Sequence, residues 1–168
     1  MNLVVMGVAG SGKTTVGREL AARLGAPWRF VEGDDFHPPA NIAKMGSGRP
    51  LDDADRAPWL DALRAHLDAC GERGESVVLA CSALKEAYRL RLGATRAVTR
   101  FVYLKADVPT LQARLQRRRG HYMKAGMLAS QIEDLEEPAP GSALVIDAGL
   151  RPPAIVDRIV SELKPPRR

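Results

Sequence analysis

Apolar positions in this chain fall into two patterns, short continuous runs and stretches at helical spacing, and the two alternate from one end to the other. Leu3, Val4, Val5 and Met6 form the first run; Val16, Leu20 and Leu24 then recur three to four residues apart and Gly25 follows as a stop, which predicts a strand and then a helix over 13–24. A short strand at Arg29-Phe30-Val31 comes next. Beyond a short helix over 39–45 and a loop, which make 38–58 an excursion over the sheet edge expected to carry substrate groups, Trp59, Leu60, Leu63 and Leu67 mark an amphipathic helix over 55–70, with acidic residues in its first turn and Pro58 tolerated there. Val77 to Cys81 is uninterrupted, as expected of a parallel strand covered on both faces, and a helix to Leu92 follows. Phe101-Val102-Tyr103-Leu104 is a fourth strand, and Val108, Leu111 and Leu115 place a helix behind it. A further helical segment over 127–136 stops before Pro138 and Pro140. Leu144-Val145-Ile146 is the fifth strand, and Ile155, Val156, Ile159 and Leu163 mark the closing helix.

Strand-helix alternation of this kind predicts an α/β fold: one domain over 1–168, three layers α/β/α, with right-handed crossovers and a parallel sheet of about five strands. It leaves strand order open. A chain of 168 residues can bury about two-thirds of its unfolded surface around one core. With 45% hydrophobic and 27% charged residues the composition is that of a soluble globular protein. The first apolar run is too short for a secretory or membrane-spanning segment, so no membrane partner is expected and the cytoplasm is the expected location. Cys70 and Cys81 read as reduced, buried thiols. The net charge of +5 is spread along the chain, apart from Arg117-Arg118-Arg119 and Arg167-Arg168, without interleaved aromatics; small anions account for it better than nucleic acid.

Candidate chemistry gathers where strands end. The first strand runs into Gly7-Val8-Ala9-Gly10-Ser11-Gly12-Lys13-Thr14, which fits the P-loop pattern G-x-x-x-x-G-K-[ST] between a strand and a helix. Glycines let the backbone curl so that successive N–H groups face phosphate oxygens, and the helix behind adds the positive end of its dipole. Gly7, Val8, Ala9, Gly10, Ser11, Gly12, Lys13, Thr14 and Thr15 are the expected nucleotide-binding set, with Lys13 on the β/γ oxygens and the Thr14 hydroxyl on Mg²⁺. Past the second strand, Glu32, Asp34, Asp35 and His37 cluster, and carboxylates there point to a cation or an acceptor substrate. The residues alone leave open whether Arg49 and Arg56 pair with neighbouring aspartates or hold substrate, and whether Lys85 and Arg89 form a solvated basic face or turn toward substrate. His66 reads as helix surface. Arg117-Arg118-Arg119 suits a lid, over 117–138, that brings guanidinium groups to a transferring phosphoryl group. No Asn-Lys-x-Asp stretch occurs, which argues against a GTPase.

Several blocks are more specific than the P-loop: Gly33-Asp34-Asp35-Phe36-His37-Pro38; Asn41-Ile42-x-Lys44-Met45; Gly48-x-Pro50-Leu51-x-Asp53-x-Asp55-Arg56-x-Pro58-Trp59-Leu60; and Cys81-Ser82-Ala83-Leu84-Lys85 with Tyr88-Arg89. Tyr103-Leu104-Lys105, Arg119-Gly120-His121-Tyr122, Met127-Leu128-x-Ser130-Gln131 and Leu135-Glu136-Glu137-Pro138 continue the series. Over nearly its whole length the chain thus resembles the gluconate kinases (gluconokinases), P-loop enzymes related to shikimate and nucleoside-monophosphate kinases.

The resemblance implies ATP-dependent, Mg²⁺-assisted phosphorylation of D-gluconate at its 6-hydroxyl, and a possible homodimer. It implies that Asp34 orients or deprotonates the attacking hydroxyl, and that His37, Arg49, Arg56, Lys85 and His121 hold the sugar acid, the cation that meets its carboxylate staying open. Lys13 and the set Arg117, Arg118 and Arg119 would stabilise the transferring phosphoryl group, one of these arginines also stacking on adenine. The family usually has Asp at the position of Glu32, the expected water-mediated contact to Mg²⁺. The alternatives are a kinase of another small acceptor, such as shikimate or a nucleoside monophosphate, and a non-catalytic nucleotide-binding module.

Overall fold

In the computed structural model, which describes residues 1–94, 96–117 and 125–163, five parallel strands form one sheet in the order β2-β3-β1-β4-β5. The strands are β1 (Asn2–Met6), β2 (Trp28–Glu32), β3 (Ser76–Ala80), β4 (Thr99–Lys105) and β5 (Leu144–Asp147). Helices α1 (Lys13–Leu24), α2 (Pro39–Gly46), α3 (Asp53–Glu72), α4 (Glu86–Arg91), α5 (Val108–Arg117), α6 (Ala125–Asp134) and α7 (Pro152–Leu163) lie between or beyond them, with a 3₁₀ turn at Gly33–Phe36. The expected three-layer α/β/α arrangement is thus present, with the P-loop strand β1 at its centre.

Alternate residues of β1 serve opposite faces. Val4 and Met6 join Val77, Leu79, Phe101 and Tyr103 under α3, whose Trp59, Leu60, Leu63 and Leu67 supply the other half of that core. Leu3 and Val5 join Val78, Val102, Leu104 and Ile146 against α1 and α7, through Val16, Leu20, Ile155, Val156 and Ile159. Burying each such side chain is worth about 1.5–3 kcal/mol, so both helical layers are held by the sheet itself. A third, smaller cluster, Val8, Leu84, Leu111 and Leu128, sits above the carboxyl edge and ties α5 and α6 to the P-loop.

Helix α3 starts earlier than its hydrophobic spacing suggests. Asp52 accepts a hydrogen bond from the Asp55 amide at 2.8 Å, and the Asp55 carboxylate accepts one from the Asp52 amide at 2.9 Å, a reciprocal cap that fixes the first turn at Asp53. Pro58 therefore falls in the second turn, where its missing N–H leaves the Ala54 carbonyl without its helical donor.

Candidate active site

Every residue of the phosphate-binding loop stands at the carboxyl end of β1, enclosed by the loops after β3 and β4. Gly7 has φ 143°, and a Cβ there would lie 2.8 Å from the Leu104 carbonyl oxygen and 2.9 Å from Ser11 Oγ, so no larger residue fits. Helix α1 begins at Lys13, directly behind Gly12, which gives the loop the helix N-terminus that an anion requires. Lys13 Nζ donates to the Val8 carbonyl at 3.0 Å, which folds its side chain over the loop.

Beside it, Thr14 Oγ1 donates to Glu32 Oε2 at 2.8 Å. The two residues expected at a metal are thereby brought together from α1 and β2. Burial pushes the Glu32 carboxyl above its ordinary range and the Asp34 charge adds to the rise, against the Thr14 hydrogen bond and the Lys13 charge. Hard oxygen donors of this kind suit a magnesium ion held mainly by phosphates and water, and among the described residues no set of three His, Cys, Asp or Glu side chains forms a protein cage for a metal.

Asp34 follows in the 3₁₀ turn because Gly33 allows β2 to approach β3 closely: a Cβ at Gly33 would lie 2.5 Å from the Ala80 carbonyl oxygen. The Gly33 carbonyl accepts from Trp59 Nε1 at 2.7 Å, pinning the turn to α3. The Asp34 carboxylate itself is exposed, and its Oδ1 lies 3.9 Å from His37 Nε2. The His37 ring, by contrast, is buried and stacks on Trp59 with centroids 4.3 Å apart. Burial lowers its pKa, overriding the Asp34 charge that would raise it, which favours the neutral ring. Asn41 Nδ2 lies 3.3 Å from His37 Nδ1 and also donates to the Asp55 carbonyl at 2.9 Å. Because a carbonyl can only accept, the Asn41 amide orientation is fixed; His37 Nδ1 then accepts, and Nε2 carries the proton toward Asp34.

Arg56 is buried. Its Nη1 donates to Tyr88 Oη at 3.0 Å and to Asp134 Oδ2 at 2.7 Å, and although burial acts to lower its pKa, these partners raise it on balance. Lys85 extends the network, donating to Asp53 at 2.8 Å and lying 3.5 Å from Asp134. Tyr88 also donates to Asp53, and these hydrogen bonds, with that from Lys85 first, hold the Asp53 carboxyl below the usual range.

Two cavities meet at the P-loop. One, of about 150 Å³, is lined by Ala9, Lys13, Asp34, His37, Arg56 and Gln131 among others. The other, of about 330 Å³, is lined by Gly10, Gly12, Thr15, Arg114, Arg117 and Leu150 among others. Arg49 and Lys85 are absent from the lining of both; Arg49 is exposed, with its Nε on Ser47 Oγ at 3.2 Å. Arg118, Arg119 and His121 lie outside the described residues. Arg89 is neither solvated nor turned to a ligand: it is buried, with Nη1 on the carbonyls of Ala83 and Leu84 at 3.1 and 2.9 Å, holding the loop after β3, where Ala83 has φ 44°. His66 packs edge-on against Phe36. Two roomier grooves, of about 550 and 600 Å³, lie at the opposite end of the sheet, away from the P-loop.

Sequence reasoning assigned no role to three residues that the site uses. Arg114 Nη2 donates to the Ala148 carbonyl at 2.5 Å and Nη1 approaches the Gly10 and Ser11 carbonyls at 3.4 Å, so it clamps the P-loop to the loop after β5. Asp134 anchors Arg56, and Gln131 meets the Ala9 amide. Only Gln131 left a signal, in the block Met127-Leu128-x-Ser130-Gln131.

A P-loop set between two cavities, the smaller lined by Lys13, Asp34, His37 and Arg56, is the arrangement of a small-molecule phosphotransferase. A family model described as an AAA domain matches residues 3–137. Gluconokinase from Gluconobacter oxydans (strain 621H) is 47% identical over 154 residues, an alignment covering 92% of this chain and 85% of that protein. Among solved structures, a sugar kinase from Janibacter sp. HTCC2649 aligns with TM-score 0.88 and 38% identity over 95% of this chain and 92% of its own. A gluconokinase from Sinorhizobium meliloti 1021 aligns with TM-score 0.77 and 38% identity over 96% and 94%. The chain belongs to the gluconokinase family. Among the described residues, no helix is long and apolar enough to cross a membrane.

Proposed function

We propose that the chain transfers the γ-phosphoryl group of ATP to the 6-hydroxyl of D-gluconate, giving 6-phosphogluconate and ADP. The observation that carries this reading is the P-loop's position as the wall between two cavities, with Lys13 and Asp34 on the acceptor side and Arg114 and Arg117 on the other. ATP places its base and ribose between Arg114, Arg117 and Leu150 and its phosphates along Gly7 to Thr15. Gluconate lies in the smaller cavity with its reacting hydroxyl at Asp34, which orients it and takes its proton as the O–P bond forms. His37 Nε2–H donates to the acceptor, and Arg56, already charged and desolvated, faces its acid end. Lys13 neutralises charge on the transferring group. Thr14 and, through water, Glu32 would hold Mg²⁺, which would supply charge neutralisation on the phosphates. Arg118, Arg119 and His121 remain expected contributors from the lid, and Lys85 and Arg49 from the acceptor side. The buried free thiols Cys70 and Cys81 fit a reducing cytoplasm, and burial pushes the Cys81 thiol up to about 12, which makes it inert. A homodimer is retained from the family resemblance, to be checked by sedimentation.

A coupled ADP-release assay with ATP and Mg²⁺ tests the reading against D-gluconate, shikimate, AMP and no acceptor. Turnover is expected with gluconate alone, lost in Lys13→Ala and Asp34→Ala. Turnover with another acceptor would replace the substrate, and tight ATP binding without any turnover would replace the reaction.

A further inference from the structure

Helix α6 touches both halves of the site through residues nearly two turns apart. Leu128 packs with Val8 of the P-loop. Asp134 accepts from Arg56 of the acceptor cavity at 2.7 Å. Between them Gln131 reaches back across the chain, and its Oε1 accepts from the Ala9 amide of the P-loop at 2.7 Å.

That bond determines which end of the carboxamide faces where. A backbone N–H can only donate, so the atom meeting Ala9 is the oxygen, and Nε2 with its two N–H donors is directed elsewhere. Among the described residues Nε2 makes no hydrogen bond. The side chain nonetheless lines the small cavity beside Lys13, Asp34 and His37, where a pair of oriented donors has a use.

We propose that Gln131 is an acceptor-binding residue that reads one secondary hydroxyl of the polyol chain through Nε2 while its Oε1 holds the phosphate loop. A single planar amide then sets the distance between the acceptor and the loop that carries the phosphoryl donor. Such a group discriminates in a way that Arg56 and Lys13 do not: it recognises a neutral hydroxyl at one carbon, and an analogue lacking that hydroxyl leaves both a donor and the loop contact poorly served. The proposal rests on gluconate as the acceptor.

The test uses D-gluconate and a set of deoxy-gluconates, each lacking one secondary hydroxyl, with wild type, Gln131→Glu and Gln131→Met. Glutamate retains an oxygen for the Ala9 amide but has no donors; methionine keeps the length and has neither. The wild type is expected to prefer gluconate over one particular deoxy analogue by about tenfold or more in kcat/KM. In Gln131→Met that preference should collapse to within about threefold at that carbon alone, the preferences at the other carbons being kept, whereas the second oxygen of Gln131→Glu still accepts from that hydroxyl and should keep part of it. The general loss of a structural support would lower kcat/KM for every analogue by the same factor, so unchanged preference ratios would overturn the role of Gln131. A thermal shift with ADP in each variant shows that the nucleotide side still folds and binds. If the wild type itself does not turn over gluconate, the acceptor assignment fails and takes this inference with it; turnover with ratios unaltered in both variants removes the inference alone.

Discussion

Asp34 and His37 are separated by one turn of chain and live in opposite environments, and their expected behaviour follows from that contrast. Asp34 is exposed at the mouth of the acceptor cavity, free to meet a hydroxyl. Asp34→Asn keeps an oxygen acceptor but cannot take a proton, so kcat should fall by about 10²–10⁴ with ADP affinity unchanged, as read by steady-state kinetics beside calorimetry. His37 is buried, and burial holds its pKa below the ordinary 6.5, which favours the neutral ring. The unfolded chain therefore binds more protons than the folded one below about 6.5, and the stability tied to the neutral ring, present above that value, is lost as pH falls through the lower folded pKa. Urea midpoints should decline across this window, and His37→Gln should flatten the decline. The acidic cluster and its histidine were legible in the sequence because they follow a strand. The split in their burial was not, since it depends on Trp59 arriving from α3 and on Asn41 fixing the ring.

Among the elements, the turn after β2 shows how backbone proximity governs the chemistry. Gly33 sits so close to the Ala80 carbonyl that a methyl group would force β2 away from β3. Gly33→Ala should cost about 1–3 kcal/mol, a fall in Tm of roughly 3–10 °C for a chain of this size, and should lower kcat/KM as well because Glu32 and Asp34 flank the displaced residue. Calorimetry and the coupled assay on the same preparation check both. Element identity was legible throughout, since runs and helical spacing are local. Element ends were less so. Hydrophobic spacing starts that helix at 55, whereas the reciprocal cap between Asp52 and Asp55 starts α3 at Asp53, and ladder pairing carries β4 to Thr99 and Lys105, beyond its apolar run.

For the whole molecule, the three layers could be foreseen from alternation, whereas the strand order and the convergence of α6 on the P-loop could not, because they join residues as far apart as Ala9 and Gln131. The site is an assembly of loops at one sheet edge, so filling it should stabilise the entire fold. ADP with Mg²⁺ at about one hundred times its Kd should add about 2.7 kcal/mol and raise Tm by roughly 5–10 °C, and Lys13→Ala should lose most of that shift. The central place of β1 has a consequence for biosynthesis. Its two hydrogen-bonded neighbours are β3 and β4, while β2, the strand made next, pairs only with β3. A nascent chain emerging from the ribosome therefore carries its phosphate loop on an unpaired strand until Ser76–Ala80 has followed, and that strand stays open on one side until Thr99–Lys105 is out. Nucleotide capture by the growing chain should thus begin late, after more than half of it has been translated.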